Sequence, residues 1–139
     1  MKLLALDFGL SKIGTAISDD TQSFVFAREA LPNTETVFNK LNQLIAVEKI
    51  GMIVMGRSSS QEVRLASEKL AKAIEKKCNM PVVFFAEDNS TQQAKELVWT
   101  LGLKKKQRQN FDDDSAAAGY ILESYLQSLH SWKLFFLVK

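Results

Sequence analysis

The 139-residue sequence predicts an α/β protein built on a mixed five-stranded sheet, with three antiparallel strands, then two parallel ones, and helices on both faces. Three observations carry this reading. Residues 2–20, KLLALDFGLSKIGTAISDD, hold two apolar runs separated by a tight turn, so the chain opens with a hairpin. Later apolar runs of four or five residues alternate with stretches whose apolar residues recur at helical spacing, and helical crossovers make successive strands parallel. Finally, 46% of the residues are hydrophobic, enough in a chain of this length for one core and one domain spanning residues 1–139.

Each element follows from local pattern. Leu3, Leu4, Ala5 and Leu6 are apolar at both alternating positions, as in a strand covered on both faces, and Asp7, Phe8 and Gly9 come directly after. Residues 13–18 form the second strand. Residues 23–29 alternate Phe24, Phe26 and Arg28 against Val25 and Ala27, a third strand closed by Pro32 and Asn33. Val37, Leu41, Leu44 and Ile45 define one face of a helix over residues 34–48. Residues 52–55, ending at Gly56, read as a fourth strand. A second helix over residues 61–77 places Val63, Ala66, Leu70, Ala73 and Ile74 inward. Pro81 opens a fifth strand over residues 82–86, which ends at Glu87. Ser90 and Gln93 have the spacing of a capping box, starting a third helix that carries Ala94, Leu97, Val98 and Leu101 and stops at Gly102. After a basic stretch, a last helix runs from about residue 112 to about residue 129.

This order makes strands one, three, four and five point the same way. Asp7 and Glu87 therefore finish at one edge of the sheet, the edge at which open α/β sheets usually bind ligands. The third helix leaves that edge, and the segment 102–111 must return to it. Ten residues span up to about 33 Å, against about 16 Å for a helix of some eleven residues, so the return is geometrically open.

Composition excludes several classes. The single Cys78 cannot form an intramolecular disulfide, which fits a reducing, cytoplasmic setting, and with no His or Cys beside it Cys78 reads as inert. The first apolar run is only four residues long, which does not match a signal peptide, and no apolar stretch reaches membrane-spanning length. The net charge of +2 is uninformative, but Lys104, Lys105, Lys106 and Arg108 stand together, either as a solvated loop or as a nucleic-acid contact.

Asp7 would be an ordinary strand-ending turn residue, or part of a metal or phosphate site, since a carboxylate beside a dry strand needs compensation. Asp112, Asp113 and Asp114 open the last helix, where aspartate is a good cap. At roughly 100° per residue, Ala118, Ile121, Leu122, Tyr125 and Leu129 share one face. Asp114 lies near the middle of that face, whereas Asp112 and Asp113 do not. Three carboxylates converging on one edge repel one another without a cation. An all-oxygen donor set suits Mg²⁺ or Mn²⁺, which can activate water and stabilise a leaving oxygen in phosphodiester hydrolysis.

Three motifs then fall into line. LALDFGLSKIGTAISD resembles the opening D-x-G-x-[KR]-x-G-x-A-x-S-D of the YqgF (RuvX-like) family, VVFFAEDNST resembles its strand followed by D-E-R-x-T-T, and DSAAAGYIL resembles its D-x-x-A-A-x-x-I-L. They occur in order and span nearly the whole chain. The family belongs to the RNase H-like superfamily, together with the RuvC-type Holliday-junction resolvases. The resemblance implies an RNase H-like fold and a cytoplasmic, metal-dependent nuclease acting on structured RNA at the 5′ end of pre-16S rRNA, with ribosomal precursor particles as a setting. Its acidic trio maps onto Asp7, Glu87 and Asp114 as catalytic metal ligands. Lys12, Arg57, Ser59, Ser60, Lys104, Lys105, Lys106 and Arg108 are the candidate nucleic-acid contacts, and Gly9 and Gly14 would let the backbone pass close to the site.

The sequence departs from the family pattern in places. D-E-R reads Ala86-Glu87-Asp88, exchanging a cation for an anion, and the family's G-L-P reads Gly56-Arg57-Ser58. The tail with Trp132, Leu134, Phe135, Phe136 and Leu137 falls outside the match and reads as an extra strand, a packing segment or a dimer contact, and His130 as a surface residue. Alternatives remain at this level. One is a branched-DNA resolvase, which would act as a homodimer; another is a nucleic-acid binding protein that does not cleave. An ATPase of the actin-like group would need a second lobe. A monomer and a homodimer are both compatible with the sequence.

Overall fold

A computed structural model describes residues 1–86 and 115–138. Five strands, β1 (Lys2–Phe8), β2 (Lys12–Ser18), β3 (Val25–Pro32), β4 (Ile50–Gly56) and β5 (Val82–Phe85), form one sheet in the order β3-β2-β1-β4-β5. The pairs β1–β2 and β2–β3 are antiparallel, and β1–β4 and β4–β5 are parallel, as the element order requires. The helices α1 (Val37–Glu48) and α2 (Gln61–Cys78) cover one face, and α3 (Ala116–Val138) covers the other.

Side-chain alternation along the strands divides the core in two. Leu4, Leu6, Ile13, Ile17, Ile53 and Met55 point to the α1–α2 side, where they pack with Val37, Leu41, Ala71 and Ile74. Leu3, Ala5, Ala16 and Val54 point to the α3 side, where they meet Ala118, Ile121, Leu122 and Leu126. Both faces of β1 are therefore dry, as its uninterrupted apolar run implies.

Several boundaries differ from the sequence reading, each for a local reason. The third strand begins at Val25 and extends to Pro32, not over residues 23–29. The Asp19 carboxylate accepts the backbone N–H groups of Ser23 (2.8 Å) and Phe24 (2.9 Å), holding them in a turn. Pro32 is tolerated because it ends a strand at the margin of the sheet. The first helix starts at Val37, since Thr34 donates its N–H to Pro32 in a turn. The fourth strand starts two residues earlier than expected, at Ile50, and the fifth stops at Phe85.

The buried line of α2 is Ser67, Ala71, Ile74 and Cys78, rotated from the expected Val63, Ala66, Leu70, Ala73 and Ile74. Ser67 can be buried there because its hydroxyl donates to the Arg64 carbonyl at 2.8 Å. Burial pushes the Cys78 thiol up, with Lys77 opposing, in keeping with an inert residue. The last helix does not end near residue 129: it continues through Val138, so the tail adds helix rather than a sixth strand. The expected third helix and its capping box lie outside the described residues. No helix among the described residues is long and apolar enough to cross a membrane.

Candidate active site

The hairpin turn between β1 and β2 brings the first candidate residues together. A Cβ at Gly9 would run into the Lys12 carbonyl oxygen, so close approach, not a left-handed φ, demands glycine there. Asn33, at the end of β3, clamps this turn from outside: its side-chain amide donates to the Gly9 carbonyl (2.8 Å) and its N–H to the Ser11 carbonyl (2.9 Å). In the sequence Asn33 is marked only as a strand terminator.

Asp7 lies at the C-terminal end of β1 and is half-buried. Leu3 and Ala5 face α3, so the alternation turns Asp7 to the α3 side as well. Its antiparallel partner on β2 is Gly14. On the other side, β1 and β4 run in parallel register to Leu6 and Met55, and Gly56 follows Met55. Asp7 is thus flanked on both neighbouring strands by glycine. A Cβ on Gly56 would lie 2.5 Å from Ile121 Cδ1, so α3 approaches the sheet more closely here than any side chain would allow. Carboxylate oxygen is the donor type that a hard cation such as Mg²⁺ or Mn²⁺ prefers.

The start of α3 is tied to this part of the sheet. Between β2 and β3 the register shifts from Ile13↔Leu31 to Thr15↔Arg28, leaving Glu29 and Ala30 opposite Gly14 as a bulge on β3. At the bulge, Thr15 donates its backbone N–H to Ser115 Oγ (3.0 Å) and its hydroxyl to the Glu29 carbonyl (2.9 Å). Thr15 and Ser115 are both fully buried. This contact joins residues one hundred positions apart and sits one step along β2 from Gly14, the partner of Asp7. Nothing in the sequence reading singled out Ser115, although it lies inside the quoted motif DSAAAGYIL.

The remaining candidates distribute as follows. Lys12, exposed, opens β2 at the same edge as Asp7. Arg57 leaves β4 at that edge, its N–H held by the Phe85 carbonyl (2.9 Å), its guanidinium ion-paired with Glu68 (3.4 Å) and placed over the Phe84 ring. Ser59 and Ser60 are exposed in the turn into α2, where the Ser60 side chain makes no capping bond and its N–H is taken by Ser58 Oγ (3.0 Å). The structure therefore brings Asp7, Lys12, Arg57, Ser59 and Ser60 to one edge. Glu87, Asp114, Lys104, Lys105, Lys106 and Arg108 lie outside the described residues. Among the described residues no three metal-ligating side chains cluster.

The architecture matches that of solved structures. The Fowlpox virus resolvase, solved with Holliday junction DNA, superposes with a TM-score of 0.64 over 93% of this chain and 99% of its own, at 14% identity. The RuvC of Thermus thermophilus, also solved with a Holliday junction substrate, gives 0.60 over 94% and 96%, at 13% identity. These likenesses establish an RNase H-like fold. The chain belongs to the RuvX family, whose model, described as "Holliday junction resolvase", matches residues 1–128. Among its relatives, a protein of Maridesulfovibrio salexigens named "Putative pre-16S rRNA nuclease" is 34% identical over 91% of this chain and 98% of its own. One of Mycoplasma genitalium with the same name is 32% identical over 92% and 98%. Family and fold together make this chain a nuclease, a hydrolase whose partner is nucleic acid.

Proposed function

We propose that the chain is a metal-dependent nuclease that hydrolyses phosphodiesters of structured RNA in the cytoplasm, at the 5′ end of pre-16S rRNA. The observation that carries this reading is the placement of Asp7, turned toward α3 at the C-terminal edge of the sheet with Gly14 and Gly56 on either side. Asp7, Glu87 and Asp114 would hold Mg²⁺ or Mn²⁺. Two arguments supplement Asp7. Val83 and Phe85, on the strand that precedes Glu87 in sequence, face the α3 side. Asp114 is bonded to Ser115, whose hydroxyl lies on β2 beside the partner of Asp7. Held by these residues, such an ion would supply water activation and charge stabilisation.

The chain's own residues do the rest. Asp7 fixes one end of the ligand set on a rigid, doubly buried strand. Lys12 and Arg57 meet the phosphate backbone at the same edge, with Ser59 and Ser60 offering hydroxyls. Lys104, Lys105, Lys106 and Arg108 add sequence-independent attraction. A second reading, cleavage of branched DNA, is favoured by the family description and by the resolvases that share the fold.

The test is cleavage of a transcript carrying the 16S 5′ leader and of a synthetic four-way DNA junction, with Mg²⁺ or Mn²⁺ and with EDTA. The expected result is metal-dependent cutting of the transcript by the wild type and none by Asp7→Asn or Glu87→Gln. Cutting of the junction alone would replace RNA by branched DNA, and equal activity in the wild type and Asp7→Asn would remove the site.

A further inference from the structure

We propose that the outward face of α2 is a second nucleic-acid contact, on which Lys69, Lys72 and Lys76 hold the phosphates of a helical arm of the substrate RNA. This rests on the reading of structured RNA as substrate, and on no residue of the metal site. The helix carries five cations, Arg64, Lys69, Lys72, Lys76 and Lys77, against three carboxylates, Glu62, Glu68 and Glu75. By contrast α1, which covers the same face of the sheet, carries only Lys40 and Glu48.

The cations are also concentrated. At roughly 100° per residue, Lys69, Lys72 and Lys76 fall within about 60° of one another around the helix. The buried line Ser67, Ala71, Ile74 and Cys78 lies on the opposite side, and all three lysines are exposed. At 1.5 Å per residue the stripe is about 10 Å long. A double helix such as B-DNA carries one charge per about 1.7 Å of its axis, so an arm lying along α2 presents several phosphates to three ammonium groups.

The ordinary roles of surface lysines do not account for this stripe. Within the helix, Lys69 has no carboxylate three or four residues to either side. Lys72 has Glu68 and Glu75 at those spacings, but the Glu68 carboxylate is paired with Arg57 at 3.4 Å. Among the described residues no ion pair involves Glu75 or any of the three lysines. Lys72 stands three residues from Lys69 and four from Lys76, spacings at which like charges repel. The helix dipole favours cations in the last turn, where Lys76 and Lys77 lie, but its effect fades within a turn and does not reach Lys69 or Lys72. Lys77 is engaged elsewhere, its ammonium 4.2 Å from the centre of the Phe38 ring. A row of like charges without internal partners is complementary to a polyanion.

Placement connects the stripe to the cleavage edge. Arg57, Ser59 and Ser60 leave β4 at the edge that carries Asp7, and α2 starts directly after them. Lys69, Lys72 and Lys76 follow at about 12, 17 and 23 Å along the helix from Gln61. An arm that leaves the edge over this turn runs the length of α2. Its contacts go to phosphates, so they add affinity and orientation without sequence preference.

The experiment is fluorescence anisotropy of a labelled transcript carrying the 16S 5′ leader, titrated in EDTA across a KCl series, with a labelled four-way DNA junction in parallel. The proteins are the wild type, the triple variant Lys69→Gln, Lys72→Gln, Lys76→Gln, the same three positions changed to arginine, and a control, Lys40→Gln, Lys49→Gln, Lys77→Gln, that removes equal charge elsewhere. All these side chains are exposed, and a melting curve of each variant checks its fold; Lys72→Gln alone serves where a triple variant does not fold. Each phosphate contact contributes about 0.7–0.9 to the slope of log K against log salt. The glutamine triple should therefore lower the slope for the transcript by about 2–3, Lys72→Gln by about 0.7–0.9, and the arginine triple and the control by neither amount. An unchanged slope in the glutamine triple, or an equal fall in the control, would overturn the α2 contact while leaving the RNA reading standing. A wild type that binds the junction and not the transcript, or binds neither, would overturn the RNA reading and the proposal with it.

Discussion

Toward α1 and α2 the sheet presents leucine, isoleucine and methionine, seven of them buried on β1, β2 and β4; toward α3 it presents Ala5, Ala16, Gly14 and Gly56 around a few larger residues. The large side chains interdigitate over a broad area and supply most of the apolar burial, each worth about 1.5–3 kcal/mol relative to exposure. The small ones contribute little burial but bring one helix close. Close approach fixes geometry: Ile121 fills the space above Gly56, and Ser115 reaches the amide of Thr15. One face holds the protein together, and the other sets where a helix start stands relative to the end of β1. Residue volume alone separates the two tasks.

The comparison is broken most forcefully on the large-residue face. Ile53→Ala, at a fully buried position among Leu4, Leu6 and Ile74, should cost about 2–5 kcal/mol of stability. Metal-dependent cleavage at a temperature where the variant is folded should stay within about twofold of wild type, since the α3 side is untouched. Urea unfolding and a cleavage rate measured together check this. A loss of activity in a fully folded Ile53→Ala would mean that the two faces are not independent.

On the small-residue face the balance should invert. Ala118→Leu inserts three carbons where α3 meets the sheet and should cost about 1–3 kcal/mol. Because α3 must then ride outward, the cleavage rate should drop by more than the stability loss explains, as the helix start leaves its register with β2. Paired melting curves and cleavage rates against Ile53→Ala would sharpen the contrast, and retained activity in Ala118→Leu would contradict it.

A smaller effect is expected at the opposite edge, outside both packed faces. The Thr21 hydroxyl, then the Phe24 N–H, hold the Asp19 carboxyl at about 2, down from 3.8, against a weak opposing effect of burial. A folded value below the unfolded one means that the ionised form supports the fold. This contribution is complete above about pH 4 and is lost as pH falls toward 2. Asp19→Asn should therefore be slightly less stable than wild type near neutrality and should lack this component of acid sensitivity between those values. Parallel stability–pH curves that stay a constant distance apart would deny the role. Asp19 also shows how a structural aspartate looks: its acceptors are filled by its own turn.

The sequence made the β1–β2 hairpin, the strand directions and the apolar face of α3 legible because each rests on simple periodicity. Ala118, Ile121 and Leu122 are all buried as the helical wheel requires. The bulge at Glu29 and Ala30 was not legible, since neither residue is a glycine or proline and a bulge leaves the alternation on both sides intact. The rotation of α2 was missed because Ser67 counts as polar in any pattern, yet its hydroxyl is satisfied within its own helix. Of the site, Asp7 was legible from the dry strand that delivers it. Ser115 and Asn33 were not, because a serine or asparagine acquires its role only from the backbone group it meets, and those groups are distant in sequence.

The central claim, that Asp7 heads a divalent-metal site on the α3 side of the sheet, is tested most directly by the metal dependence of thermal stability. Melting curves of the wild type and Asp7→Asn are recorded with EDTA and with increasing Mn²⁺. A ligand present at about one hundred times its dissociation constant stabilises the folded state by about 2.7 kcal/mol. The wild type should accordingly melt several degrees higher in Mn²⁺. Asp7→Asn should melt at least as high as wild type in EDTA and gain nothing from the metal. An equal Mn²⁺-dependent rise in both proteins would contradict the account.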